Sequence, residues 1–127
     1  QSPERDGYVK ECVHVATVEE CEAAEPDSDG NPRWRVTAAC HNAFEEGGQL
    51  EVLSPHRDVF TVNPRAIAWL APADGGKPFV ERGEVSLEDV RVNSVEFPVA
   101  KANRSKEHYV FFVDSELQLG DYLSRRL

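Results

Sequence analysis

The stretch Arg33-Trp34-Arg35-Val36-Thr37-Ala38-Ala39-Cys40-His41 decides the fold, because apolar and polar side chains alternate along it with only Ala39 out of step. Trp34, Val36, Ala38 and Cys40 share one face, and Arg33, Arg35, Thr37 and His41 share the other. A period of two belongs to a strand with one face buried. Upstream, Gly7 to Val18 is rich in β-branched residues and reads as a second strand carrying Val9, Val13 and Val15. The acidic residues 19–32 between the two read as an exposed hairpin loop, closed by the turn formers Asp29-Gly30-Asn31-Pro32.

Downstream, Gly47-Gly48 precedes Gln49–Ser54, a strand with Leu50 and Val52 inward. Pro55 to Asp58 then turns into the strand Val59–Val62. Asn63-Pro64 predicts a short helical turn over Ala66–Leu70, with proline at the first helical position. Residues 71–84 read as a loop, and Ser86 with Asp89 as a hint of a helix cap. Arg91–Val92, Ser94–Ala100 and His108–Asp114 are strand-like, with Pro98 confined to an edge or a bulge. Leu119 to Leu123 reads as a turn and a short apolar stub. The fold class is therefore all-β: one domain over residues 1–127, a small closed or partly open barrel of about six or seven strands.

Hydrophobic residues make up 40% of the 127 and charged residues 29%, a globular balance. No apolar run approaches the roughly 20 residues of a membrane span. The net charge of −9 disfavours a free-standing nucleic-acid binder, since phosphate neutralisation supplies most of such affinity. The charge is uneven, however. Residues 1–30 hold nine acids against Arg5 and Lys10, whereas residues 91–127 hold six basic residues against five acids. Those six, Arg91, Lys101, Arg104, Lys106, Arg125 and Arg126, near the aromatic positions Tyr109 and Tyr122, are the candidate RNA- or substrate-binding residues.

Cys12, His14, Cys21, Cys40 and His41 are the types that hold zinc. They lack a paired-cysteine knuckle, and Cys40 and His41 should face opposite sides of their strand, so core packing is the expected role and no metal ligand is assigned. No nucleophile elbow or phosphate-cradling loop occurs, and no catalytic residue is assigned either. An odd count of three cysteines does not suit a disulfide framework and points to a reducing, cytoplasmic home.

His41-Asn42-Ala43-Phe44-Glu45-Glu46-Gly47-Gly48-Gln49-Leu50-Glu51-Val52-Leu53-Ser54-Pro55 resembles the signature of the C-terminal domain in the U32 peptidase (collagenase-like protease) family. Phe60-Thr61-Val62 sits where that family's next strand falls, and Leu119 to Arg126 resembles its terminal segment. Gly7-Tyr8-Val9 resembles its opening strand more weakly. Gly48 stands where the family has Asp, His41 where it has Arg, and residues 63–93 run longer. The resemblance implies a barrel similar to domain II of translational GTPases, following the N-terminal catalytic domain of a larger bacterial enzyme. Members are named as peptidases, and several use iron–sulfur chemistry and prephenate-derived cofactors to hydroxylate pyrimidines of transfer or ribosomal RNA. The family's catalytic and cluster-ligating residues have no counterparts here. The expected role is accessory: assisting RNA or protein substrate binding, with a purely structural domain bracing the parent catalytic barrel, or a small Cys/His metal-binding protein, as the alternatives. No cofactor, membrane or small-molecule partner is assigned to this chain.

Overall fold

A computed structural model describes residues 12–83 and 86–126, and the central alternating segment is a strand, β2 (Arg33–Cys40). Val36, Ala38 and Cys40 are buried in the core, while Trp34 is half-buried against its margin. β1 (Cys12–Ala24) pairs antiparallel with β2 from Ala16↔Cys40 to Ala24↔Arg33. The segment Glu19–Ala24 is therefore strand, not loop, and the connection shrinks to residues 25–32. Its acids tolerate the strand because they meet basic side chains: Glu22 lies 3.6 Å from Arg35, Glu20 pairs with Arg91, and Glu19 accepts from the His108 ring at 2.8 Å. Asp27 accepts from the Asp29 and Asn31 amides at 2.9 Å, which holds its carboxyl below the ordinary range and shapes the turn. Gly7-Tyr8-Val9 lies outside the described residues.

β3 (Phe44–Glu45) leads through Gly47, at φ +78°, to β4 (Leu50–Ser54) and β5 (Arg57–Val62), the last two joined over Pro55-His56. The helical turn expected at Ala66–Leu70 is instead part of a strand, β6 (Arg65–Pro72). β6 pairs with neighbours on both sides, and those ladders override the helix propensity of its alanines. The strand-like pair Arg91–Val92 closes a short helix, α1 (Leu87–Val92), capped by the Ser86 side chain accepting from the Asp89 amide. A 3-10 turn (Phe79–Arg82) precedes it. β7 (Ser94–Pro98) is an edge strand, where Pro98 can sit. β8 (Lys101–Ala102), β9 (His108–Val113) and β10 (Tyr122–Arg126) complete the chain. The stub expected after Gly120 is β10, which lies between β1 and β4.

Ten strands thus replace the expected six or seven among the described residues. Eight form one antiparallel sheet, in the order β5-β4-β10-β1-β2-β9-β6-β7, and β3 pairs with β8 separately. Val62 of β5 and Ile67 of β6 meet in one core with Val36, Leu50, Phe111 and Leu123, so the sheet curls round. β5 and β7 remain its edges, which makes the architecture a partly open barrel. Phe44 and Ala102 of the small sheet enter the same core. A second cluster, Leu70, Phe79, Val90 and Val110, seats α1 and the 3-10 turn on the main sheet.

An ion pair between half-buried Arg57 and buried Asp121 ties the β10 turn to the β5 edge. Asp121, 1% exposed, accepts from Arg57 Nη2 at 2.7 Å and from the Gln118 amide at 2.9 Å. Arg57→Ala leaves that carboxylate with its amide partner but no counter-charge, and should cost about 1–3 kcal/mol. An unchanged urea midpoint would show that water already screens the pair.

Candidate nucleic-acid interface

The six candidate cations separate into two groups according to what already holds them. Arg91, on α1, forms an ion pair with Glu20. Arg126 Nε lies 3.2 Å from Glu51, and Arg125 Nε donates to the Ala43 carbonyl at 2.8 Å. Arg125 and Arg126 line a groove of about 560 Å³ together with Lys101, but Glu45, Glu46 and Glu51 line it too, so its charges balance. That groove is walled by the segment Ala43–Glu51, the middle of the signature-like stretch.

Lys101, Arg104 and Lys106 have no carboxylate partner among the described residues. All three are exposed on one short segment, 101–106, which also carries Asn103 and Ser105 and no acid. The backbone rather than the side chains fixes this segment. The Lys106 amide donates to the Cys40 carbonyl at 2.7 Å, the Arg104 amide to the Tyr109 hydroxyl at 3.0 Å, and the Glu107 amide to the Arg104 carbonyl at 3.2 Å. Lys106 takes φ +71°, a left-handed value that turns the chain back into β9.

Behind the segment stands an aromatic support. The Arg104 guanidinium lies 4.1 Å from the Trp69 ring centroid, in cation–π contact. Trp69 Nε1 donates to Glu107 Oε1 at 3.0 Å, and the other Glu107 oxygen accepts from the Val80 amide at 2.7 Å. Glu107 is 2% exposed, so this carboxylate is a buried clamp between the basic segment, the Trp69 ring and the 3-10 turn. Phe97 sits opposite Trp69 in the β6–β7 ladder and is 57% exposed. Both aromatics were missed in the sequence, where Trp69 fell in a supposed helix. The expected aromatic partner Tyr109 is buried, which pushes its phenol pKa up, and its hydroxyl serves the loop backbone. Tyr122 is exposed but stacks on His14, on the outer side of β1 and β10.

The cysteine–histidine set divides: the His14 and His41 rings meet, with centroids 4.5 Å apart and both contacting the Thr17 hydroxyl, while the three thiols have other partners. Cys40 is buried with its thiol 3.4 Å from the Asn42 carbonyl, and burial pushes its pKa up to about 11. Cys21 accepts from the Leu117 amide at 3.3 Å, and burial raises its pKa. Cys12 Sγ lies 3.8 Å from Glu51. All three thiols are free. Among the described residues no three His, Cys, Asp or Glu side chains gather as a metal site. No helix among them is long and apolar enough to cross a membrane.

These features define a class: a small antiparallel barrel-like domain presenting one basic segment on an aromatic support. Two crystal structures share the fold, both of the C-terminal domain of a Geobacillus thermoleovorans protein assigned to the U32 peptidases. One matches with a TM-score of 0.51 and 16% identity over 93% of this chain and 93% of that one. Its selenomethionine variant matches with a TM-score of 0.50 and 16% identity over 90% and 99%. No family model matches the chain, and no curated protein does. At this level of identity the likeness is one of fold.

Proposed function

We propose that the chain is the non-catalytic C-terminal domain of a U32-type enzyme, and that it helps hold an RNA substrate for a neighbouring catalytic domain. The observation that carries this reading is the 101–106 segment: three exposed cations without carboxylate partners among the described residues, in a protein of net charge −9, backed by Trp69. Phosphates are recognised by such side chains, and unpaired bases stack on rings and guanidinium planes. The fold shared with a U32 C-terminal domain and the signature-like segment around Phe44 support the family part of the reading. Any iron–sulfur cluster belongs to the catalytic partner in this scheme. Three free cysteines suit a reducing cytoplasm.

Titration with labelled transfer RNA or a ribosomal RNA fragment at two salt concentrations tests it. Binding should weaken with salt, and Arg104→Glu should lower affinity about tenfold or more, with a shallower salt slope. Arg91→Glu, at a cation already paired with Glu20, should change affinity far less. Equal effects of the two substitutions, or no salt-sensitive binding, would refute the assignment.

A docking role has one observation of its own. Val92, Val95 and Phe97 are all more than half exposed along α1 and the β7 edge, an apolar strip suited to the face of the catalytic domain. Under that reading alone, RNA would not bind, and polar substitutions at Val95 and Phe97 would release the two domains from each other.

A further inference from the structure

We propose that the cleft at the starts of β2 and β6 binds a nucleoside monophosphate unit, either a free nucleotide or an unpaired residue of an RNA strand. β9 runs between those two strands, and its Phe112 stands opposite Arg35 in one ladder and Arg65 in the other. Residues directly opposite in a ladder project to the same side, and Arg33 shares that side with Arg35, two residues on. Three arginines therefore gather round one ring. Glu22 and Glu96 neutralise Arg35. Arg33 and Arg65 have no carboxylate partner among the described residues, and both line a cleft of about 650 Å³ with Phe112. That volume suits a ligand of nucleotide size.

The lining supplies each kind of contact that such a unit needs. The Arg33 guanidinium lies 4.4 Å from the Phe112 ring centroid, and its Nε donates to the Glu25 carbonyl at 2.8 Å. Ring and carbonyl fix the guanidinium plane and leave its Nη groups without a protein partner among the described residues; unpaired bases stack on such planes. Arg65, exposed on the same cleft, is the phosphate contact, since a guanidinium meets phosphate oxygens in pairs. Acceptors complete the lining. Asn63 Nδ2 donates to the Gly47 carbonyl at 3.2 Å, so its oxygen is the end left for a ligand. Asp114 is exposed and has no ion-pair partner among the described residues. Oxygens of these kinds accept from ribose hydroxyls and from the amino groups of bases. Asp27 is already engaged, its Oδ1 accepting from the Asp29 and Asn31 amides. Phosphate alone would use the arginines but neither the stacking plane nor the acceptors, and it would meet Asp114 as a like charge. The cleft shares no residue with the 101–106 segment, so the proposal does not rest on the RNA role given to that segment.

Adenosine 5′-monophosphate, adenosine, inorganic phosphate and a short single-stranded RNA are titrated separately into the whole chain while side-chain resonances are followed. The expected result is a saturable shift of the Phe112 ring, the Arg33 and Arg65 guanidiniums and the Asn63 side-chain amide. Movement with the nucleotide but not the RNA assigns the cleft to a free nucleotide; movement with the RNA assigns it to an unpaired residue of the strand. Arg65→Gln should lower affinity about tenfold or more, the worth of a charge-assisted hydrogen bond. Arg91→Gln, at a cation paired with Glu20 outside the cleft, should lower it less than about twofold. Saturation of the cleft by neither nucleotide nor RNA below ~1 mM, or adenosine or phosphate binding as tightly as the nucleotide, would overturn the proposal. Shifts confined to residues 101–106 would overturn it too, while leaving the role of that segment standing. The readout on the unaltered protein holds even if a substitution unfolds it.

Discussion

Phe44→Ala is expected to lower stability by about 3–5 kcal/mol, the cost of truncating a large buried aromatic whose surroundings close only partly. Phe44 belongs to a strand of two residues, yet it is 2% exposed and sits edge-on to Tyr109 and Phe111, with centroids 6.4 and 5.6 Å away. The small β3–β8 sheet delivers it into the core of the curled sheet. Removing the ring strips contacts from both partners, and Gly47 and Gly48 hold the loop above too tightly for easy collapse: the Gly47 amide donates to the Pro64 carbonyl at 2.8 Å. Phe44→Leu keeps much of the volume and should cost less. Urea denaturation of the three proteins decides the matter. A loss under about 1 kcal/mol for the alanine variant would mean that the barrel does not depend on this plug.

The second large effect is expected at Glu107. Glu107→Ala orphans two donors, Trp69 Nε1 and the Val80 amide, at a cost of about 1–3 kcal/mol for each. Glu107→Gln keeps one side-chain acceptor and should lose about half as much. The change also frees the ring that supports Arg104, so the alanine variant should bind RNA more weakly even where it remains folded. Tryptophan emission reports the loosened Trp69, and a denaturation curve gives the stability. Identical curves for the alanine variant and the parent would show that water serves both donors equally well.

Local signals made about half of this architecture readable in the sequence. β2 was plain because its alternation is nearly unbroken; the turn read at Asp29-Gly30-Asn31-Pro32 begins two residues earlier, because the Asp27 carboxylate accepts from the Asp29 and Asn31 amides. The β4–β5 hairpin and the edge position of Pro98 were equally local. Distant pairing decided the rest. Ala66 to Leu70 favours helix alone and becomes strand only between β7 and β9. A bulge there, with Ala66 at φ +54°, breaks the alternation that would have revealed it. Glu19, Glu20 and Glu22 read as loop because Arg35, Arg91 and His108 arrive from elsewhere in the chain. The site followed the same rule. Sequence counted six cations; only tertiary structure shows Arg91, Arg125 and Arg126 engaged with Glu20, Ala43 and Glu51. The 101–106 segment was legible as basic, but Trp69, Phe97 and the Glu107 clamp were not, since they meet it through the β6–β7 and β6–β9 ladders.

Whether the 101–106 segment holds RNA is read most directly from an amide chemical-shift map of the whole chain during addition of transfer RNA. The largest shifts should fall on residues 101–106, with Trp69 and Phe97 beside them and the Arg91 surface quiet. Shifts concentrated around Arg91, or spread evenly without saturation, would contradict it.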